Sequence, residues 1–179
     1  MKHLFALLSL VVILSSCGSL TPFTEDLYTD LDLHETTVKK VQFYLSKDLV
    51  LFKELGENEA SVENGRIRLK EGRRVQEIII KRNTPGVVVF MPKEDRFAVC
   101  FDDDDDKFLM FGPNKKYNSN YTLLGKEWNR QYGTVTYGGE VYQTSSRNAL
   151  ASLLVNVNKM RRTSVKRSTS AGRKVYTSN

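Results

Sequence analysis

The sequence predicts a mainly β fold, a single antiparallel sandwich or small barrel-like domain, with one or two short helices near the start of the mature chain. Three observations carry this expectation. Apolar residues beyond Lys40 recur at alternate positions, as in Arg66-Ile67-Arg68-Leu69-Lys70, the pattern of a strand with one buried and one wet face. The apolar runs are short and separated by frequent turn chemistry, giving about ten to twelve strands, which favours antiparallel architectures. A chain of 179 residues fits one domain with a sizeable core.

In chain order, the first element is a segment to be removed rather than folded. Lys2 supplies a positive start and Leu4 to Leu14 an unbroken apolar run, the layout of a secretory signal peptide. As a helix that run spans roughly 17 Å, too short for a bilayer core of about 30 Å. It ends in Leu14-Ser15-Ser16-Cys17, and here the chain resembles bacterial lipoproteins, whose lipobox this tetrapeptide matches position for position. The resemblance covers only the signal region. It implies removal of residues 1–16, a thioether diacylglycerol on Cys17, and acylation of the new amino terminus by a fatty acid such as palmitate. In enterobacterial lipoproteins an Asp after the cysteine retains the protein in the inner membrane. Gly18 stands there in this chain, so the resemblance points to the outer membrane.

Residues 17–24 read as lipidated anchor and tether, residues 25–167 as the β domain, and residues 168–179 as a polar, basic tail. Thr24 is placed to cap a short helix through Glu25-Asp26-Leu27-Tyr28, whose acids favour the positive helix end. A further helical turn is expected near Glu35 to Lys40. Strands follow at Val41–Leu45, Leu49–Phe52, Arg66–Lys70 and Val75–Lys81. Thr84-Pro85-Gly86 has type II turn chemistry and leads into Val87–Met91, which Pro92 is expected to stop. Phe97–Phe101 and Phe108–Phe111 form a hairpin around Asp102 to Asp106, ended by Gly112-Pro113-Asn114. Gly133–Tyr137 and Glu140–Gln143 flank Gly138-Gly139, the strongest hairpin signal in the chain. A short helix is expected near Asn148–Leu150. Leu153, Val155 and Val157 alternate as a late strand running on toward Met160 and Val165.

Charge is distributed unevenly. Residues 21–63 hold ten acids and four bases, whereas residues 145–179 hold eight bases and no acid, within a net charge of +6. Such asymmetry suits either pairing within the molecule or a basic segment meeting an anionic surface. Lys159, Arg161, Arg162, Lys166 and Arg167 are the candidate contacts. Export makes nucleic acid an unsuitable partner. Anionic lipid, lipopolysaccharide phosphates or an acidic envelope protein remain, beside the membrane held through acyl chains on Cys17.

Catalysis has little sequence support. His3 departs with the signal, leaving His34, and there is no Gly-x-Ser-x-Gly, His-Glu-x-x-His, phosphate loop or Cys/His metal spacing. The chain is therefore expected not to be an enzyme and to carry no cofactor or metal. Cys100 lies within a strand-like run and reads as a buried, inert thiol. The five aspartates lack the glycine and terminal glutamate of an EF-hand loop, so they read as a solvated hairpin tip. Phe43, Tyr44, Tyr117, Tyr121, Tyr132, Tyr137 and Tyr142 are spaced as core residues. Trp128 lies in a polar connection and is the candidate ligand contact. The leading expectation is a membrane-anchored envelope lipoprotein with a binding or structural role, as accessory of an envelope assembly. A module binding glycan, peptide or lipid through Trp128 is the alternative.

Overall fold

The computed structural model describes residues 19–56, 66–70 and 73–164. The strands are β1 (Thr21–Pro22), β2 (Phe43–Leu45), β3 (Leu49–Glu54), β4 (Arg66–Lys70), β5 (Arg73–Ile80) and β6 (Pro85–Lys93), followed by β7 (Arg96–Cys100), β8 (Phe108–Asn114), β9 (Asn120–Leu123), β10 (Tyr132–Tyr137), β11 (Glu140–Ser145) and β12 (Leu153–Val155). The helices are α1 (Glu25–Asp30), α2 (Glu35–Val38) and α3 (Val157–Ser164). All the pairings are antiparallel, in a seven-stranded sheet ordered β1-β12-β2-β6-β7-β8-β9 and a five-stranded sheet ordered β10-β11-β3-β5-β4. The domain is thus the sandwich-like β fold that the alternation predicts, with α1 and α2 near its start.

Local chemistry sets several of these elements. Thr24 caps α1 as expected, its Oγ1 accepting the N–H of Leu27 at 3.1 Å. Gly138 and Gly139 join β10 to β11 with φ of 56° and 77°, the left-handed pair that a type I′ hairpin turn requires. On β10 the alternation is strict: Gly133, Val135 and Tyr137 are buried, with their neighbours half-buried. Across β3 and β11, Lys53 Nζ lies 3.0 Å from Glu140 Oε1, and the Tyr142 hydroxyl donates to Glu140 Oε2 at 2.9 Å.

Three turn expectations need correction. The turn before β6 falls earlier than Thr84-Pro85-Gly86. Asn83 takes φ of 62° and the Thr84 N–H bonds to Lys81 O at 3.1 Å, while Pro85 and Gly86 already pair with Tyr44 and Phe43. Asparagine tolerates the left-handed region, so the glycine is not needed there. Pro92 does not stop β6, which continues to Lys93 through two register irregularities that absorb the missing donor. Gly112-Pro113-Asn114 belongs to β8 and pairs with β9, beyond the last rung that β8 shares with β7. β9 itself was not among the expected strands.

The seven-stranded sheet curls until its ends touch. Residues 21–24, read from sequence as tether, are built into the fold at that junction. The Phe23 N–H donates to Leu153 O at 2.9 Å, and Phe23 O accepts from the Tyr121 N–H at 3.0 Å. Isolated bridges Thr24–Asn120 and Thr122–Ser152 complete the contact, without a continuous ladder. Inside the curl, aromatic rings from separate strands converge. Phe23 lies 4.8 Å from Tyr121 and 5.2 Å from Phe43 between ring centroids, and Phe97 stacks on Tyr121 at 4.7 Å. All four are fully buried. Leu49, Leu51, Val135, Tyr137 and Tyr142 add the five-stranded sheet to the same core.

Candidate functional site

The basic candidates divide between a helix and a stretch beyond it. Cys17, Lys166 and Arg167 lie outside the described residues. Lys159 and Arg161 are exposed on α3, which also contains Arg162. A late strand through Met160 is not what forms. Asn156 ends the strand period and caps a helix, its Oδ1 accepting the Lys159 N–H at 3.1 Å. Val157 and Met160, three residues apart, then pack on the core, with Met160 only 2% exposed. The apolar spacing changes from two to three at Asn156, which is why strand alternation projected from Leu153 fails.

The sheet register decides what surrounds α3. One rung crosses four strands: Thr21 on β1, Val155 on β12, Phe43 on β2 and Gly86 on β6. Because β1 and β2 both run antiparallel to β12, both begin at the end where β12 leaves for α3. Neighbouring strands lie about 5 Å apart. Three chain segments therefore meet at one end of the sheet: the approach from Cys17, the approach through Lys40 to Gln42, and the start of α3. Cys17 precedes Thr21 by four residues, a reach of at most about 14 Å.

Between the second and third segments lies a groove of about 320 Å³. It is lined by the exposed Lys40 and Lys159, by Tyr44 and Asn156, and by the buried apolar Val41 and Met160. Gln42 is held in place by its Nε2, which donates to Gly86 O at 2.9 Å. Sequence reading found Lys159 and counted Tyr44 among the aromatics, but missed Lys40, Gln42 and Asn156. Nothing local marks them, since more than a hundred residues of chain separate the two sides. At the other end of β6 a second cleft, of about 560 Å³, is lined by Asp32, Glu35 and Glu94 together with Lys93, beside Tyr28 and His34.

Trp128 is placed by backbone contacts. It forms a bridge to Gly133, and the Thr134 N–H bonds to Glu127 O at 3.1 Å, so this connection covers the outer edge of β10. Its ring lies against Gly133, where a Cβ would come within 2.5 Å of ring carbons, and against Gly125. The residue stays 44% exposed. Of the other aromatics, Phe43, Tyr121, Tyr137 and Tyr142 are core residues, whereas Tyr117 is exposed.

The aspartate run is organised by its own backbone. Asp102 Oδ1 accepts the Asp104 N–H at 3.3 Å and faces Lys107 Nζ at 3.2 Å, and Asp104 Oδ1 accepts the Asp106 N–H at 3.1 Å. The buried Cys100 Sγ lies 3.2 Å from the carbonyl oxygens of both Asp102 and Asp104. Burial, joined by the nearby aspartates, pushes its thiol pKa up, which disfavours the thiolate. Among the described residues no group of three metal-ligating side chains converges, and no helix is long and apolar enough to cross a membrane.

No family model, curated protein or solved structure matches this chain.

Proposed function

We propose that this protein is a membrane-anchored lipoprotein of the cell envelope, held by acyl chains on Cys17, whose β domain has a binding or structural role as accessory of an envelope assembly. The single observation that supports this reading most is the shared rung of β1, β12 and β2. It brings the approach from Cys17 and the basic helix α3 to the same end of the domain. A protein anchored there presents Lys159 and Arg161 to the membrane surface, together with the exposed Asp102–Asp106 loop that follows β7 at the same end. One acyl chain alone binds a bilayer marginally, and a basic patch adds about 1 kcal/mol per cation near an anionic surface. The short reach from Cys17 to β1 also limits how far the domain stands from the bilayer. The outer membrane is the proposed location, on the strength of Gly18.

The test is affinity purification and crosslinking of the native protein from membranes, beside an unacylated Cys17→Ser control. A discrete protein partner recovered only with the acylated form is the expected result. Loss of the wild-type protein from the membrane fraction, or identical behaviour of the control, overturns the anchored reading. The exposure of Trp128 on its glycine platform favours a second reading, a site for glycan or peptide. A saturable change in tryptophan emission during titration with envelope polysaccharide would bring that reading forward.

A further inference from the structure

We infer that the groove between the Lys40–Tyr44 segment and α3 binds the phosphate of an anionic lipid headgroup. The inference rests on the anchored reading and adds a ligand class and a discrete site to it. Two cationic side chains from separate elements, Lys40 and Lys159, line one groove of about 320 Å³. Ammonium groups act on phosphate as compact point charges, and the apolar lining of Val41 and Met160 suits the glycerol and first methylenes behind that phosphate. Free phosphate offers the same charge but nothing for that lining. The position decides between the sources. The groove opens at the end of the sheet where β1 arrives from Cys17, so a headgroup in the anchoring leaflet lies within a short reach, without release from the bilayer.

The rest of the groove is preset by the fold. Gln42 is fixed by its bond to Gly86 O, and α3 is fixed by the Asn156 cap and the Met160 side chain. Lys40 and Lys159 are both exposed, so they can be replaced without opening the core. The Asp102–Asp106 loop lies at this same end, since Val87 pairs with Cys100, and shares a cleft with Gln42 and Gly86, so Lys40 and Lys159 make the groove the cationic part of a mixed surface.

The experiment uses the full acylated protein in phosphatidylcholine nanodiscs containing a headgroup-photoactivatable phosphatidylglycerol, with crosslinked positions read by mass spectrometry. Crosslinks are expected on residues 40–44 and 156–160, reduced about tenfold in Lys40→Glu/Lys159→Glu and less in Lys40→Gln/Lys159→Gln. Circular dichroism of each variant reports that the β fold is kept. Crosslinks spread evenly over the domain, or unchanged in the double variants, overturn the site. Complete competition by millimolar inorganic phosphate overturns the lipid as source. Crosslinks to an acidic protein segment in native membranes, in place of lipid, overturn it in favour of a protein partner. Intact mass of the mature protein reports acylation separately. An unacylated protein that still shows groove-specific crosslinks refutes the anchor and leaves the groove standing.

Discussion

At the scale of single residues, Phe23 joins the N-terminal approach to the core. Its backbone bonds to β12 on one side and β9 on the other, and its ring fills the space between Phe43, Phe97 and Tyr121. Phe23→Ala is expected to cost about 3–5 kcal/mol, the range for emptying a buried aromatic site, and to lower the urea midpoint without abolishing membrane attachment. A change below about 1 kcal/mol would mean that the sheet ends do not depend on this ring. Buried tyrosines set the alkaline limit. Burial, with Asp102 and other nearby anions, pushes Tyr137 up to about 12, and burial also raises Tyr121 and Tyr142. The unfolded chain then gives up these protons first, so their contribution to stability is intact below pH 10 and is lost as pH rises from there through the folded values. Tyr137→Phe should flatten part of that decline in urea midpoints measured from pH 9 to about 12. An unchanged slope would remove Tyr137 from the set.

At the scale of elements, the β10–β11 hairpin was legible because its information is local. Alternation on both sides of Gly138-Gly139 specifies the strands, and glycine takes the two consecutive positive φ angles without the steric cost of a Cβ. Gly139→Val is expected to destabilise by about 1–2 kcal/mol through that backbone angle alone, since open space surrounds the site. Denaturant midpoints of Gly139→Asn and Gly139→Val check this: asparagine should lose much less, and equal losses would point to something other than φ. α1 was legible for the same reason, through Thr24 and the two acids after it. The elements that escaped sequence reading depend on distant partners. β1 is two residues long and exists because β12 pairs with it, while Phe23 and Thr24 just after it reach β9. α3 replaces a strand because the core receives Met160 at helical spacing, and nothing in the alternation from Leu153 reports where that core lies.

At the scale of the whole molecule, the approach to β1, the start of α3, the groove and the Asp102–Asp106 loop share one end of the seven-stranded sheet, and the cleft with Asp32, Glu35, Lys93 and Glu94 lies at the other end of β6. Charge reversal across Lys159, Arg161, Arg162, Lys166 and Arg167 is expected to weaken membrane or partner retention, most at low salt and least at high salt. Extraction of the acylated protein from vesicles across a salt series measures it. Identical extraction curves at every salt would reduce this basic stretch to a solvated face and leave the acyl chains proposed on Cys17 as the attachment to test.

The sequence by itself determined the strand alternation, the hairpin turn, the cap of α1 and the uneven charge, because each is written in neighbouring residues. Only the tertiary structure decided that the sheet curls onto Phe23, that α3 is helical, and that Lys40 and Lys159 line one groove. These depend on pairings such as Thr21–Val155 and Phe43–Val155, between segments more than a hundred residues apart. Local propensity carries no record of such a register. It is fixed when the aromatic core closes and each strand must place its apolar face inward.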